Sequence, residues 1–274
     1  MARIMSLVMT VFMVIPITAP ALGQVVLLVA PWEAIFAVLA SAGFAMLLWT
    51  SFRLKETRPP GAQTPLRLRE IAAAYALVIK TRTTFGYMLA SGVIFAALFA
   101  FISTSEQIFR EVFHEEETFV LWFGGISLAL SAANLLNARL VRRYGMRRLS
   151  HGALVGFTAL ALVLLVSMSA FGERVSIFFP LFASLFALFG LIGANFNALA
   201  LEPLGRIAGT ASAAHGFATT TVSGLIGGLI GRAYDGTTRP LLIGFVVLGF
   251  ACLVIVAVTE RGRLFSENEP ATSA

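Results

Sequence analysis

The chain has 274 residues, 58% of them hydrophobic and 12% charged, with a mean hydropathy of +0.88, a formal net charge of +6 and one cysteine. Such apolarity excludes a soluble globular domain, and a lone Cys252 inside an apolar run excludes a disulfide framework or a cysteine-based metal site. The positive charge on its own suggests nucleic acid, but it is gathered in short segments between apolar runs, which is where membrane topology places it.

A spanning helix needs ~20 mostly apolar residues. Eight runs meet that requirement, roughly 5–29, 33–52, 85–105, 118–138, 150–171, 175–198, 208–231 and 240–259. The expected fold class is therefore an all-α polytopic membrane protein of about eight transmembrane helices, embedded in a lipid bilayer and with little chain left for a soluble domain.

The first run carries Pro16, Pro20 and Gly23 within Val14-Ile15-Pro16-Ile17-Thr18-Ala19-Pro20-Ala21-Leu22-Gly23. A membrane helix tolerates two prolines where its neighbours satisfy the freed carbonyls, so a kinked span explains them. The start also resembles a secretory signal, with Arg3 ahead of an apolar stretch, but the run continues through Val25-Val26-Leu27-Leu28-Val29 as a span does. A short turn, Ala30-Pro31-Trp32-Glu33, places a tryptophan at the membrane boundary before the second run. Residues 53–84 form the long polar stretch, and around Leu66-Arg67-Leu68-Arg69-Glu70-Ile71 they predict a short amphipathic helix at the lipid surface. Residues 71–79 are too short for a ninth span.

The third run ends at Glu106, which either lines a cavity mouth or opens the acidic loop that continues with Glu111, His114, Glu115, Glu116 and Glu117. One histidine beside three consecutive carboxylates reads as a solvated loop, so no metal site is expected. The fourth run leads through Asn137 into Ala138-Arg139-Leu140-Val141-Arg142-Arg143-Tyr144-Gly145-Met146-Arg147-Arg148, with five arginines. A cluster of that density stays on the cytoplasmic side. With both termini cytoplasmic, 16 of the 20 basic residues face inward, leaving Arg110, Arg174, Arg232 and Arg239 outside.

The sixth run ends in Asn195-Phe196-Asn197; the two amides either face a cavity or hydrogen-bond between helices. Glu202 and Arg206, four residues apart, predict an ion pair at a helix end. His215 is ionisable at membrane depth: either a proton or substrate contact, or a neutral histidine bonded to a neighbouring helix. Gly224, Gly227, Gly228 and Gly231 form two overlapping GxxxG patterns that allow close helix packing and would serve a pivot. The 24 phenylalanines would offer an adaptable apolar cavity, or simply face lipid.

Several of these stretches resemble the major facilitator superfamily. Ala19-Pro20-x-x-Gly23 is similar to the core of the antiporter signature in the fifth helix of drug/proton exchangers, with Gln24 at the last glycine of that pattern. Leu140, Arg143, Gly145, Arg147 and Arg148 match the second-half copy of the loop signature G-x-L-x-D-R-x-G-R-R, in which Ala138 and Arg142 depart from it. Asn195, Ala198, Leu201, Glu202, Pro203, Ala208, Gly209, Ala211, Ser212 and Ala213, with the Gly-rich run after them and Tyr234-Asp235-Gly236-Thr237 and Pro240-Leu241, closely resemble the tenth-to-twelfth-helix region of the bicyclomycin/chloramphenicol-resistance (Bcr/CflA-type) branch.

The resemblance aligns the chain with helices five to twelve of a twelve-helix transporter. It implies the last two helices of a first half at 1–52, a cytoplasmic linker at 53–84, a six-helix second half at 85–260 and a cytoplasmic tail at 261–274. It further implies proton-coupled efflux of small hydrophobic drugs by alternating access in a bacterial inner membrane. Drug and protons are the expected partners, and no cofactor is expected. The alternatives are a truncated fragment without transport, or a half-transporter that takes helices one to four from a partner chain. No nucleophile–base set, phosphate loop or zinc spacing supports an enzyme.

Overall fold

The computed structural model describes residues 22–23, 25–54 and 68–265. Two compact units divide at Leu68 and Arg69. In the first, residues 22–23 and 25–29 are helical, and α1 spans Glu33–Arg53, with Glu33 in its first turn and Arg53 in its last, matching the helix dipole. No residue of α1 is buried, and its Leu39, Phe44 and Trp49 are all exposed apolar groups.

The second unit holds α2 (Leu68–Lys80) from Arg69 on, the expected amphipathic helix, which turns Val78 into a small cluster with Met88, Leu204, Ala211 and Ala214 while Leu77 and Ile79 stay exposed. A six-helix bundle follows: α3 (Arg82–Gln107), α4 (Phe119–Tyr144), α5 (Met146–Phe171), α6 (Val175–Leu201), α7 (Ala208–Arg232) and α8 (Arg239–Thr259). A π-turn at Ile108–Val112 extends α3, and a 3-10 segment at Glu202–Ile207 joins α6 to α7. Short connections make successive helices run in opposite directions, so one end of the bundle collects all the arginines of 139–148 and the other collects Arg110, Arg174, Arg232 and Arg239.

Among the described residues, six helices are long and apolar enough to cross a membrane: α1, α3 with its extension, α4, α5, α6 with its extension, and α8. Of the eight runs expected, 5–29 lies largely outside the described residues. The run at 208–231 is present as α7, but its glycines, threonines and serines leave it less apolar than the others.

Helix α3 is central, packed against α7, α8 and α6; α5 and α4 flank α6, and α5 also packs on α8. Phenylalanine is the commonest residue of the larger buried core cluster. Phe101, Phe182, Phe186 and Phe245 are at most 2% exposed and stack ring on ring, with Phe101 and Phe182 centroids 4.8 Å apart and Phe178 and Phe182 4.6 Å apart. These rings fill the bundle; they neither line an open cavity nor face lipid, and offset or tilted aromatic pairs add to the burial itself.

Candidate functional site

The arginine stretch is helical almost throughout. Helix α4 continues to Tyr144, α5 starts at Met146, and Gly145 alone breaks the helix, at φ 76° and ψ 158°, a backbone region that favours glycine. Arg142 and Arg143 therefore sit in the last turn of α4, where cations suit the helix dipole, and the Arg143 guanidinium lies 5.4 Å from the Tyr144 ring centre. Arg139, Arg142, Arg143 and Arg148 are exposed; Leu140 and Arg147 are half-buried.

Arg147 belongs to a polar cluster at this end of the bundle. Its Nε donates to Glu260 Oε1 at 3.0 Å, and its Nη2 lies 3.6 Å from Glu202 Oε2. The Tyr87 hydroxyl donates to the same Glu260 oxygen at 2.6 Å and is 3.0 Å from His151 Nε2. His151 Nδ1 donates to the Leu264 carbonyl, and Arg148 Nε donates to the Phe265 carbonyl at 3.1 Å. Four segments are thereby joined: α3, α5, the start of the 3-10 segment, and the chain following α8.

Hydrogen-bond bookkeeping constrains the centre of this cluster. Tyr87 has one proton, which Glu260 takes; the Leu264 carbonyl can only accept, so His151 Nδ1 donates to it, while Nε2 lies against the tyrosine oxygen. Burial on its own would raise the Glu260 carboxyl, but the hydrogen bonds from Tyr87 and Arg147 and the Arg147 charge hold it below the usual carboxylate range.

At the opposite end, Glu106 does not stand alone at a mouth: Arg110 Nη1 bonds it at 2.5 Å, with its side chain 55% exposed, and Arg110 Nη2 reaches Glu111 at 2.9 Å. Tyr234 donates to Glu111 at 3.2 Å, and partial burial, then that carboxylate, push its hydroxyl up to about 12. Glu173 accepts from both the backbone N–H and the hydroxyl of Thr238, at 2.6 and 2.7 Å, and so caps the start of α8. Trp122 and Thr118 donate to Glu115, holding that carboxyl below its usual range.

Within the bundle, Asn195 is 2% exposed and its Nδ2 donates to Asn137 Oδ1 at 2.7 Å, a direct link between α6 and α4. Asn197, two residues on, is exposed on another face. Among the four glycines, Gly227 and Gly231 form the contact with α3: a Cβ on Gly227 would lie 2.6 Å from Phe99 Cβ and 2.9 Å from the Ala96 carbonyl, and one on Gly231 2.6 Å from Ser103 Oγ. Gly224 and Gly228 have open space in the corresponding direction, as does Gly23. Ala19 and Pro20 lie outside the described residues, as does the Arg206 side chain; Glu202 reaches Arg147.

His215 is 9% exposed, and its Nδ1 is buried without a hydrogen-bond partner among the described residues. The other such atoms are Thr84 Oγ1, Ser91 Oγ and Thr219 Oγ1. Two of the four lie on α3 and two on α7, helices that pack against each other. Thr84, Met88 and Ser91 share one face of α3, as Ala211, His215 and Thr219 share one face of α7, and Met88 packs in one cluster with Ala211 and Ala214. Sequence spacing singled out His215 alone. Its hydroxyl neighbours, and Tyr87, His151 and Glu260 in the end cluster, come together only through packing, although His151 beside the arginines and Glu260 at the end of the last span were both ionisable groups at a membrane boundary.

A family model described as Major Facilitator Superfamily matches residues 1–228. The chain belongs to the Major Facilitator Superfamily. It is 28% identical over 260 residues to a bicyclomycin resistance protein homolog of Haemophilus influenzae, covering 93% of the present chain and 63% of that one. It is 26% identical over 265 residues to the uncharacterized MFS-type transporter YdgK of Bacillus subtilis, covering 95% and 65%. It is also 26% identical over 274 residues to the multidrug resistance protein MdtL of Escherichia coli O45:K1, covering 98% and 66%. The chain thus spans about two thirds of the length of these curated relatives. The likeness of its stretches to the bicyclomycin-resistance branch is borne out, as is the polytopic helical fold.

Proposed function

We propose that this facilitator acts in the proton-coupled export of small hydrophobic drugs by alternating access, in a bacterial inner membrane and with both termini in the cytoplasm. The observation that carries this reading is the ionisable His215, 9% exposed within α7 and with a ring nitrogen that has no partner among the described residues, in a chain whose relatives are named for bicyclomycin and multidrug resistance. A membrane helix keeps such a group at a cost, and a histidine is suited to exchanging protons near neutral pH. The end cluster of Tyr87, His151, Arg147, Glu202 and Glu260 supports the second element of the reading, a cytoplasmic gate. It crosslinks helix ends through charged bonds that can be made and broken as a unit. The charge distribution supports the orientation, since the arginine-bearing end carries most of the positive charge.

The test is drug susceptibility in an efflux-deficient host expressing the protein, with and without a protonophore. Export driven by protons raises resistance and loses it when the gradient collapses. His215→Ala is expected to lower resistance at unchanged membrane abundance. Resistance that survives the protonophore would remove proton coupling, and unchanged resistance in His215→Ala would remove His215 from the mechanism.

A further inference from the structure

The outer face formed by α4, α5 and α6 carries two hollows that share a floor. One, of about 540 Å³, runs between α4 and α6 and is walled by Ala129, Ala132, Leu136, Ala183 and Ala187. The other, of about 310 Å³, lies nearer the arginine end against α5 and is bounded by Tyr144, Arg148, Leu149 and Gly152. Leu188 and Leu191 line both, so they form one continuous groove. The small side chains of α4 and α6 leave the groove open along its length, and its lining changes from apolar to basic and aromatic toward one end.

The dimensions suit one leaflet of a bilayer. From Tyr144 back to Ala129 is fifteen residues of helix, ~22 Å at ~1.5 Å per residue. Half of a ~30 Å hydrocarbon core is ~15 Å, so a chain that enters at the Tyr144 end reaches the bilayer midplane inside the groove. At the entrance, Arg148 lines the wall, Arg143 lies over the Tyr144 ring, and Arg139 and Arg142 are exposed on the adjoining turns of α4. Tyr144 is 48% exposed there, and an aromatic ring with a polar tip belongs at headgroup depth.

We propose that this groove is a binding site for an anionic phospholipid, with an acyl chain along the alanine-lined channel and the headgroup phosphate among Arg139, Arg143 and Arg148. Charge complementarity selects the occupant. A neutral hydrophobic molecule would be served by the channel alone and gains nothing from the arginines, whereas a phosphate at this depth meets guanidinium groups that bind it through several N–H donors. The site is separate from His215 and from the Phe101–Phe182 core, and it stands or falls independently of the transport reading.

The experiment uses the purified full chain, delipidated in detergent and titrated with phosphatidylglycerol or phosphatidylcholine while bound lipid is counted by native mass spectrometry. Phosphatidylglycerol is expected to bind the more tightly. Arg143→Gln and Arg148→Gln should each weaken it roughly fivefold, in line with the usual contribution of a basic residue near an anionic lipid surface, and leave phosphatidylcholine unchanged. Arg143→Gln, which touches no other described contact of the tail, serves where Arg148→Gln disturbs the Phe265 contact. Ala132→Phe, an exposed position on the α4 wall, should weaken both lipids by obstructing the channel.

Equal binding of the two lipids overturns the proposal. So does an Arg174→Gln control at the opposite end that weakens phosphatidylglycerol as much as Arg143→Gln, because the effect would then be net charge alone. Unchanged phosphatidylglycerol binding in Ala132→Phe, with a hydrophobic drug displaced in its place, would assign the groove to drug and sink the lipid reading.

Discussion

The Tyr87 hydroxyl donates to the Glu260 carboxylate across 2.6 Å, joining the first turns of α3 to the residue that follows α8. The two residues are 173 positions apart in sequence. Tyr87 is fully buried, so its ring anchors the bond from the core side through its edge-on contact with Phe196 at 5.3 Å, while Arg147 completes it from the surface side. Tyr87→Phe keeps the ring and removes the donor. A hydrogen bond to a charged group contributes about 1.5–3 kcal/mol, and partial exposure of Glu260 places the loss near the lower end. Thermal unfolding in detergent should show a lower Tm for Tyr87→Phe, and no change would mean that the bond contributes nothing to stability.

The same carboxylate sets a pH dependence. Its ordinary value is 4.5, and in the folded protein it lies lower. A carboxyl with a depressed folded value contributes stability that is complete above its unfolded value and is lost as pH falls through the folded one. The bundle should therefore lose stability on acidification below about pH 4.5, and Glu260→Gln should be less stable at neutral pH but flatter across that range. Parallel melting curves for the two proteins from neutral pH downward decide the point; identical slopes would refute it.

Two glycines one residue apart should behave in opposite ways. At Gly227 a methyl group meets Phe99, Ala100 and the Ala96 carbonyl at 2.9 Å or less, and the last two are backbone that cannot step aside. Gly227→Ala should cost about 1–3 kcal/mol by forcing α7 away from α3. Gly228→Ala meets nothing within 4 Å and should be neutral or slightly stabilising. Comparing their melting temperatures tests the packing, and a Gly227→Ala protein as stable as its neighbour would refute the close approach.

The Asn137–Asn195 bond allows a double-mutant cycle. Interhelical polar pairs in membrane proteins couple by about 0.6 kcal/mol and rarely by more than ~1.7. Asn137→Ala, Asn195→Ala and the double variant should yield a coupling of that size. A value near zero would mean that Asn195 is held by its bond to the Leu191 carbonyl, at 2.6 Å, without help from α4.

Ser91 should respond unlike an ordinary buried hydroxyl. It is 1% exposed and its Oγ has no partner among the described residues, so deleting the oxygen removes an unmet need without breaking a bond. Ser91→Ala is expected to be neutral or to raise stability by up to ~1 kcal/mol. A clear loss of stability would show that the hydroxyl has a bonding partner in the membrane-embedded protein, such as an internal water shared with Thr219 or His215.

Hydropathy along the chain was sufficient for the polytopic helical class, because a bilayer demands long apolar runs with every backbone group satisfied inside the helix. The amphipathic segment before the bundle, the basic end and the superfamily resemblance at Gly145–Arg148 and Glu202–Ala213 were likewise local patterns, visible in a few consecutive residues. Packing decided the rest. Two overlapping glycine pairs are equivalent in sequence, and only the position of α3 made Gly227 and Gly231 the contact pair. Phenylalanines spaced along a helix carry no sign of which way they face until Phe182 and Phe186 of α6 close over Phe101. Tyr87, His151, Arg147 and Glu260 are unremarkable singly and far apart in the chain. Hydrogen bonds act over ~3 Å, so these residues became a cluster only when alternating helices brought their ends to one side of the membrane.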